Sequence, residues 1–216
     1  TIVNAGRKFG KLEVVNDHTA FIPNGANFER FVEASWGLPC PMDMQSIPKP
    51  IFGFVGALQS CIEYGFLETA AEAHPEWSFV FIGREKPGVD LSRLRSKQNC
   101  YFLGLKPNEQ LPDYISQFDA CLNLFDSSPL SKDVSPLKFY EYLATGKPVV
   151  STPQPDQVLQ YEDIIHIAHN AQEFMQCCQA ALEDHNAEAR IEEGRKSSWD
   201  ARVTQMLEIL EQDGVF

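Results

Sequence analysis

The stretch Asp133-Val-Ser-Pro-Leu-Lys-Phe-Tyr-Glu-Tyr-Leu-Ala-Thr-Gly-Lys-Pro-Val-Val150 contains a complete helix followed by the start of a strand. Ser135 is a favoured N-cap residue and Pro136 suits the first helical position, so we expect a helix over residues 136–145. Gly146 follows as a left-handed C-cap that ends the helix. The next residues, 147–151, are largely apolar and predict a strand.

The same alternation of short apolar runs and helical periods extends over most of the chain. Further strands are predicted over residues 51–56, 78–83, 100–104, 120–125 and 164–168, and further helices over 61–74, 109–118, 171–184 and 198–212. Strands that alternate with helices form a parallel sheet covered on both faces. The predicted fold class is therefore α/β, a doubly wound parallel sheet of the Rossmann-like type.

Residues 1–50 do not follow this alternation. They contain a predicted strand over 19–22 and a turn at Pro23-Asn24-Gly25. Four prolines lie between residues 35 and 50 and predict an extended linker. The chain therefore opens on what we interpret as a fragment of a different domain.

Composition excludes several classes of function. The chain has 216 residues, is 44% hydrophobic and carries a net charge of −12, which argues against nucleic acid and against a polybasic membrane patch. No apolar run approaches the ~20 residues that span a bilayer, and the first residues have no signal-peptide layout. We expect a cytoplasmic protein without a transmembrane segment, whose six cysteines are reduced and buried. The five histidines are scattered, so no metal site is predicted.

The start of the helix predicted over 136–145 is suited to a phosphate group. The first N–H groups of a helix lack partners, and the helix dipole places partial positive charge there. Lys138 lies in the first turn, where a bound phosphate would explain a cation; the alternative is a lysine that points into solvent. Glu141 shares its face and can accept hydrogen bonds from the two hydroxyls of a ribose. The alternative for Glu141 is a surface ion pair with Lys138.

The end of the opening stretch resembles a family motif. Glu-Tyr-Leu-Ala-Thr-Gly-Lys-Pro-Val-Val is similar to the E-A-M-A-x-G-x-P-V-V block of the GT-B glycosyltransferases of family 4, the group 1 transferases. That block closes an E-x7-E motif, which reads D-x7-E here, from Asp133 to Glu141. Residues 22–31 resemble the hinge between the two GT-B domains, and 52–57, 79–84 and 99–106 resemble its strands and loops. The resemblance covers roughly residues 19–212 in the family's order.

This resemblance implies the C-terminal half of a GT-B fold, which binds a nucleoside-diphosphate sugar and transfers the sugar with retention and without a bound metal or other cofactor. It implies that Asp133 faces the sugar and Glu141 holds the ribose. The helix start with Lys138 would stabilise the leaving diphosphate, so we name Asp133 and Lys138 as catalytic. The residues predicted to bind the nucleotide are Gly56, Ala57, Gly83, Arg84, Leu105, Lys106, Ser135, Pro136, Leu137 and Glu141.

The resemblance also predicts the domain layout. Residues 1–34 would be a remnant of the N-terminal domain with the hinge, 35–50 a linker, 51–197 the nucleotide-sugar domain and 198–216 a C-terminal return helix. The missing N-terminal domain would bind the acceptor, so we expect a hexosyltransferase type of enzyme that is inactive as this fragment. Peripheral attachment to the inner membrane through the missing domain is left open.

The sequence departs from the family in its basic residues. Many members have an Arg after the first glycine loop and a Lys in the next helix, both on the diphosphate; here Ala57 follows Gly56 and no Lys lies between Leu58 and Ala73. Lys138 or Arg84 is the candidate substitute. Two alternatives to transfer are therefore a nucleotide-sugar epimerase of GT-B fold and a degenerate domain that only binds a partner. An NAD site is a poor match, because 53–56 gives G-x-x-G rather than G-x-G-x-x-G.

Overall fold

A computed structural model of the chain describes residues 2–3, 19–132 and 134–212. Its main sheet has six strands that all pair in parallel: β3 (Ile51–Val55), β4 (Ser78–Ile82), β5 (Cys100–Gly104), β6 (Ala120–Asn123), β7 (Val149–Ser151) and β8 (His166–Ile167). Two short strands, β1 (Ile2–Val3) and β2 (Ala20–Phe21), pair in parallel in a separate sheet. Each strand predicted from the apolar runs is present, with ends that differ by a few residues.

The order of the strands in the sheet determines where a binding crevice forms. The order is β5-β4-β3-β6-β7-β8, so the chain runs outward from β3 to β5 and then returns to lay β6 against the other side of β3. The two halves of the sheet therefore diverge between β3 and β6. In open parallel sheets ligands bind at such a switch point, beyond the carboxyl ends of the strands.

Helices cover both faces of this sheet. In chain order they are α1 (Phe28–Phe31), α2 (Tyr64–Ala73), α3 (Ser92–Arg95), α4 (Leu111–Ser116), α5 (Pro129–Lys132), α6 (Leu137–Thr145), α7 (Ala171–Ala181), α8 (Ala187–Lys196) and α9 (Trp199–Gln212). One hydrophobic cluster joins a sheet face to α2, α3 and α7, and a second joins the other face to α1, α4, α6 and α8. The predicted doubly wound fold is confirmed.

The composition of β3 shows why the strands are nearly all apolar. Phe52 and Phe54 point into one cluster, whereas Ile51 and Val55 point into the other. All four are buried, and burying such a side chain contributes about 1.5–3 kcal/mol relative to leaving it exposed. A strand covered on both faces therefore has no polar face to alternate with.

The sequence pattern missed α8. This helix is strongly charged, and the fully buried residue of its first two turns is Arg190. The Arg190 guanidinium donates to the carbonyl oxygens of Gly146 at 3.0 Å and Ile164 at 2.8 Å, and it forms an ion pair with Asp184. A helix is predicted from a stripe of apolar residues on one face, and in α8 the paired cation Arg190 occupies the inward face instead.

The segment 35–50 differs from the extended linker that its prolines predict. Short 3-10 helices form over Val32–Trp36 and Met42–Met44. The side chains of Met44 and Ile47 are buried in the same hydrophobic cluster as Tyr114 of α4. The apolar residues between the prolines therefore fix this segment against the domain.

Two further features concern the described part of the chain as a whole. None of its helices has both the length and the apolar character needed to cross a membrane. All six cysteines are free thiols, but only Cys61, Cys121 and Cys178 are buried. Cys100 and Cys177 are partly buried and Cys40 is exposed, so the prediction of buried thiols is wrong for Cys40 and only partly met at the other two.

Candidate functional site

Helix α6 begins where the sheet diverges. It ends at Gly146, whose φ of 70° is left-handed as predicted, and its N-cap is Pro136, which was expected one position inside the helix. The predicted N-cap role of Ser135 is wrong. Its hydroxyl accepts a hydrogen bond from the backbone N–H of Asn24 at 3.2 Å, and its carbonyl accepts one from the Asn24 side chain at 3.0 Å. Ser135 is therefore bonded to the hinge turn, and no side chain among the described residues caps the start of the helix.

The start of α6 consequently keeps open donors. Among the described residues, no acceptor lies within hydrogen-bond distance of the N–H groups of Leu137 and Lys138, whereas Phe139 donates to the carbonyl of Pro136 at 3.0 Å. The Leu137 side chain is 41% exposed. Free N–H groups and the positive end of the helix dipole together form a site that favours an anion.

Lys138 extends from this helix start across the switch point. Its Nζ lies 3.7 Å from the centroid of the Phe54 ring in β3 and 4.8 Å from that of Phe125, just after β6. A Cβ atom on Gly56 would lie only 3.3 Å from the same nitrogen. Burial lowers the pKa of Lys138 to about 7, although nearby groups that include Glu141 oppose the shift. The ammonium is therefore held on aromatic rings rather than in solvent or in an ion pair.

Glu141 lies one turn further along α6 and is partly buried. Burial raises its pKa to about 7, and the charge of Lys138 partly offsets this. Among the described residues, its carboxylate has no hydrogen-bond donor and no cation within 4.0 Å. The expected alternative, an ion pair between Glu141 and Lys138, does not form, so neither charged group is paired with a charged side chain among the described residues.

Tyr142 fixes α6 against the sheet. Its side chain is fully buried, and its Oη accepts a hydrogen bond from the backbone N–H of Val55 at 2.7 Å. Val55 is the last residue of β3 and directly precedes Gly56. The helix that carries Lys138 and Glu141 is thus tied to the strand end that leads into the first glycine loop.

The loops after β3 and β4 lie close together because both begin with glycine. Gly56 and Gly83 have φ values of 144° and 150°, which side chains rarely adopt. A Cβ atom on Gly83 would lie 1.9 Å from the carbonyl oxygen of Gly56. Gly56 donates to the carbonyl of Ile82 at 2.8 Å, and Leu58 donates to that of Arg84 at 2.9 Å. The two loops therefore form one continuous surface.

A cavity of about 380 Å³ opens beside these loops at the carboxyl ends of β3, β4 and β5. Six predicted nucleotide-binding residues line it, namely Gly56, Ala57, Gly83, Arg84, Leu105 and Lys106. The other lining residues are Val55, Ile82, Lys86, Asn108 and Leu111, which the sequence analysis did not name. The lining contains three cations and no acid, in a chain that is acidic as a whole. Its size is within the range of small-molecule pockets.

The predicted residues thus fall into two adjoining groups. Leu137, Lys138 and Glu141 lie on α6, and the Lys138 ammonium reaches Gly56, which lines the cavity. Arg84 lies on the rim, is exposed and has no ion-pair partner among the described residues. Asp133 lies outside the described residues. Within them, no three His, Cys, Asp or Glu side chains are grouped so that they would hold a metal ion.

Sequence reasoning missed the residues that support this site. Phe54 and Phe125 were recognised only as strand residues, although both lie near the ends of predicted strands. Asn24 was recognised only as part of a turn in the resemblance to the family's hinge, and Tyr142 only as part of the family motif. The strand order, which places β3 beside β6, would have shown that the two phenylalanines lie close together.

Comparison with known proteins identifies the family of the chain. The sequence profile described as "Glycosyl transferases group 1" matches residues 49–184, which is more than half of the chain. The chain belongs to the group 1 glycosyltransferases. The family is one of transferases, which disfavours the epimerase alternative.

The relatives of this group 1 chain are distant and longer. The chain is 24% identical over 206 residues to TuaH of Bacillus subtilis, a putative teichuronic acid biosynthesis glycosyltransferase. That match covers 91% of this chain and 52% of TuaH. Anabaena HepE, solved with UDP and glucose, is 16% identical with a TM-score of 0.71, over 97% of this chain and 62% of HepE. An Escherichia coli structure described as trehalose-6-phosphate bound with UDP-2-fluoro glucose is 16% identical with a TM-score of 0.60, and the match covers 86% of this chain and 48% of the Escherichia coli chain.

Two facts follow from these matches. The structural likeness confirms the predicted GT-B type of fold. The chain spans only about half to three fifths of the length of these relatives.

Proposed function

We propose that this chain is the donor-binding half of a retaining hexosyltransferase that takes its sugar from a UDP-sugar. The observation that carries the proposal is the open start of α6 at the switch point, where the Lys138 ammonium reaches Gly56 on the wall of the adjoining cavity and Glu141 lies one turn further along the helix. UDP is the first nucleotide to test, because HepE and the Escherichia coli protein were solved with UDP or a UDP-sugar. The identities of the sugar and of the acceptor stay open.

In this proposal the diphosphate binds at the start of α6. The free N–H groups of Leu137 and Lys138 donate to phosphate oxygens, and the Lys138 ammonium supplies a full positive charge. When the bond to the sugar breaks, negative charge grows on the leaving diphosphate, and donors already in place stabilise that charge without reorganisation. Lys138 would thus replace the basic pair that this chain lacks after its first glycine loop. Asp133 precedes this helix in the chain and is proposed to face the sugar.

The nucleoside extends from the helix start towards β5. Glu141 accepts hydrogen bonds from the ribose hydroxyls, for which its unpaired carboxylate is available. The base then enters the cavity lined by Gly83, Arg84, Leu105 and Lys106. Backbone approach to the nucleotide is close because Gly56 and Gly83 carry no side chain.

The acceptor is proposed to bind to a domain that lies outside this chain. The chain covers 52% of TuaH and 62% of HepE, which leaves room for such a domain in a longer protein. Helix α9 supports this view, since none of its residues is buried and its Trp199, Val203 and Leu207 are 45–50% exposed. These apolar side chains are proposed to pack on the missing domain. The chain alone should then bind the donor without transferring the sugar.

Nucleotide binding tests the proposal directly. Titration calorimetry with UDP, GDP and ADP should show binding of UDP to the chain, and a ligand at 100 times its Kd should stabilise the fold by about 2.7 kcal/mol. Glu141→Ala should abolish measurable binding of both UDP and uridine, because the ribose loses its acceptor. The matched control is Glu183→Ala, which removes an exposed glutamate of the turn after α7 and should bind UDP as the wild type does.

The opposite results would identify the alternative. If no nucleoside diphosphate binds at millimolar concentration, the chain is a degenerate domain that keeps the fold alone. If Glu141→Ala and Glu183→Ala bind UDP equally well, the ribose is held elsewhere.

A further inference from the structure

The linker that leads from the hinge into β3 reaches the edge of the cavity. The Asp43 carboxylate, in the short helix Met42–Met44, lies 2.5 Å from the Nζ of Lys106 in the loop after β5. The same carboxylate accepts a hydrogen bond from the Oη of Tyr114 in α4 at 3.0 Å. Lys106 Nζ also lies 5.2 Å from the centroid of the Tyr114 ring. We call these three residues the Asp43 clamp.

The surroundings of the clamp hold it in place. Met44 and Ile47 are only 2% and 7% exposed, so the linker is anchored directly beyond Asp43. The Lys106 side chain is 19% exposed and lines the cavity, and Tyr114 is buried. The clamp therefore joins the linker, the loop after β5 and the helix α4 at a single point on the cavity wall.

The charges in the clamp distinguish Lys106 from Lys138. Burial acts to raise the pKa of Asp43, but hydrogen bonds from Lys106 and Tyr114 bring it below its ordinary value. The hydrogen bond to Asp43 raises the pKa of Lys106. Lys106 is therefore a cation whose charge is already compensated, whereas Lys138 has no anion within 4.0 Å among the described residues. An ammonium held by a carboxylate is poorly placed to bind a diphosphate as well.

We propose that Asp43 is a positioning residue of the nucleotide cavity. It holds the Lys106 side chain, with its charge neutralised, in the part of the cavity wall that faces the nucleoside. The linker is thereby coupled through Asp43 to Lys106, which lines the cavity. The inference rests on the proposed function, because it assigns the wall to the nucleoside of the same nucleotide.

Three variants of the whole chain test the clamp by calorimetry with uridine and with UDP. Asp43→Asn removes the charge that holds Lys106, and Lys106→Met removes the ammonium but keeps an apolar stem. Each should weaken uridine and UDP by a similar factor, on the order of tenfold, as for a lost hydrogen bond to a charged group. The matched control is Lys49→Met, which breaks the linker's ion pair with Asp119 at 2.9 Å, away from the cavity lining. It should leave both affinities unchanged.

The double variant Asp43→Asn/Lys106→Met adds a readout that a merely structural role would not give. Both changes remove the same ion pair between Asp43 and Lys106. The double variant should therefore bind uridine about as weakly as either single variant. If Asp43→Asn fails to fold, Lys106→Met against Lys49→Met gives the same comparison.

Two results would overturn the inference. One is equal affinity in the clamp variants and the control. The other is tighter UDP binding but unchanged uridine binding in Asp43→Asn, which would make Lys106 a phosphate-binding cation that Asp43 restrains. If wild-type protein binds neither ligand, the proposed function fails instead, so the two failures are distinguishable.

Discussion

At the scale of single residues, Lys138 is in an unusual state for a lysine. Its ammonium rests on the rings of Phe54 and Phe125, and burial brings its pKa to about 7. No anion pairs with this ammonium among the described residues, and a bound diphosphate would favour its protonated form. Nucleotide binding by this chain should therefore depend on pH near neutrality, and the dependence should arise from this lysine.

The sign of that dependence follows from the lowered pKa. Below pH 7 Lys138 is protonated and UDP binds tightly; as pH rises through about 7 the free protein loses the proton, and affinity should fall by up to about tenfold per pH unit. Calorimetry from pH 6.5 to 8.5 measures this. Lys138→Met should bind UDP about 10- to 100-fold more weakly and show a flatter pH profile, with uridine affected far less.

The pKa of Glu141 is also about 7, so the experiment must distinguish its contribution to the pH dependence from that of Lys138. The Lys138→Met variant does this because it keeps Glu141. If the variant retains the full pH dependence of the wild type, Lys138 is not the group that binds the diphosphate.

At the scale of elements, the position of α6 decides the site. Two hydrogen bonds join this helix to the end of β3: the N–H of Val55 donates to the Tyr142 hydroxyl at 2.7 Å, and that hydroxyl donates to the carbonyl of Val55 at 3.4 Å. Tyr142→Phe leaves that buried N–H without an acceptor, which should cost about 1–3 kcal/mol of unfolding free energy. Urea denaturation measures the loss. Tyr101→Phe is the matched control, since its hydroxyl has no hydrogen bond among the described residues, and it should change stability by less than about 0.5 kcal/mol.

Equal stability of the two tyrosine variants would show that α6 is held by its apolar contacts alone. Those contacts are extensive, because Phe139, Tyr140 and Leu143 are also fully buried in the cluster on this face of the sheet.

The elements were also the part that the sequence predicted best. Strands buried on both faces must be apolar throughout, which made β3 and β4 visible as short runs. The helix α6 was bracketed by Pro136 and Gly146, residues whose backbone preferences act locally. By contrast, α8 was missed because its inward residue is Arg190, which is stabilised by partners far along the chain.

The site was predicted less completely for the same reason. Gly56 and Gly83 were named from the family resemblance and Lys138 from its place in the first turn of the helix. The partner of Ser135, however, is Asn24, which is 111 residues away in sequence. A local rule made Ser135 a helix cap, and a long-range contact with the hinge overrode it. The partners of Lys138 likewise come from strands that only the fold brings together.

At the scale of the whole molecule, these parts line one edge of the sheet. The helix start, the two glycine loops, the cavity and the Asp43 clamp lie at the carboxyl ends of β3 to β6, where the strand order opens a crevice. A donor nucleotide laid along this edge would touch all of them. The exposed apolar side chains of α9 are available for a further domain.

A crystal structure of the chain with UDP tests this arrangement most directly. We predict the diphosphate at the N–H groups of Leu137 and Lys138, the ribose hydroxyls within hydrogen-bond distance of Glu141, and the base in the cavity beside Lys106. UDP bound away from the start of α6, or Glu141 directed away from the ribose, would contradict the account.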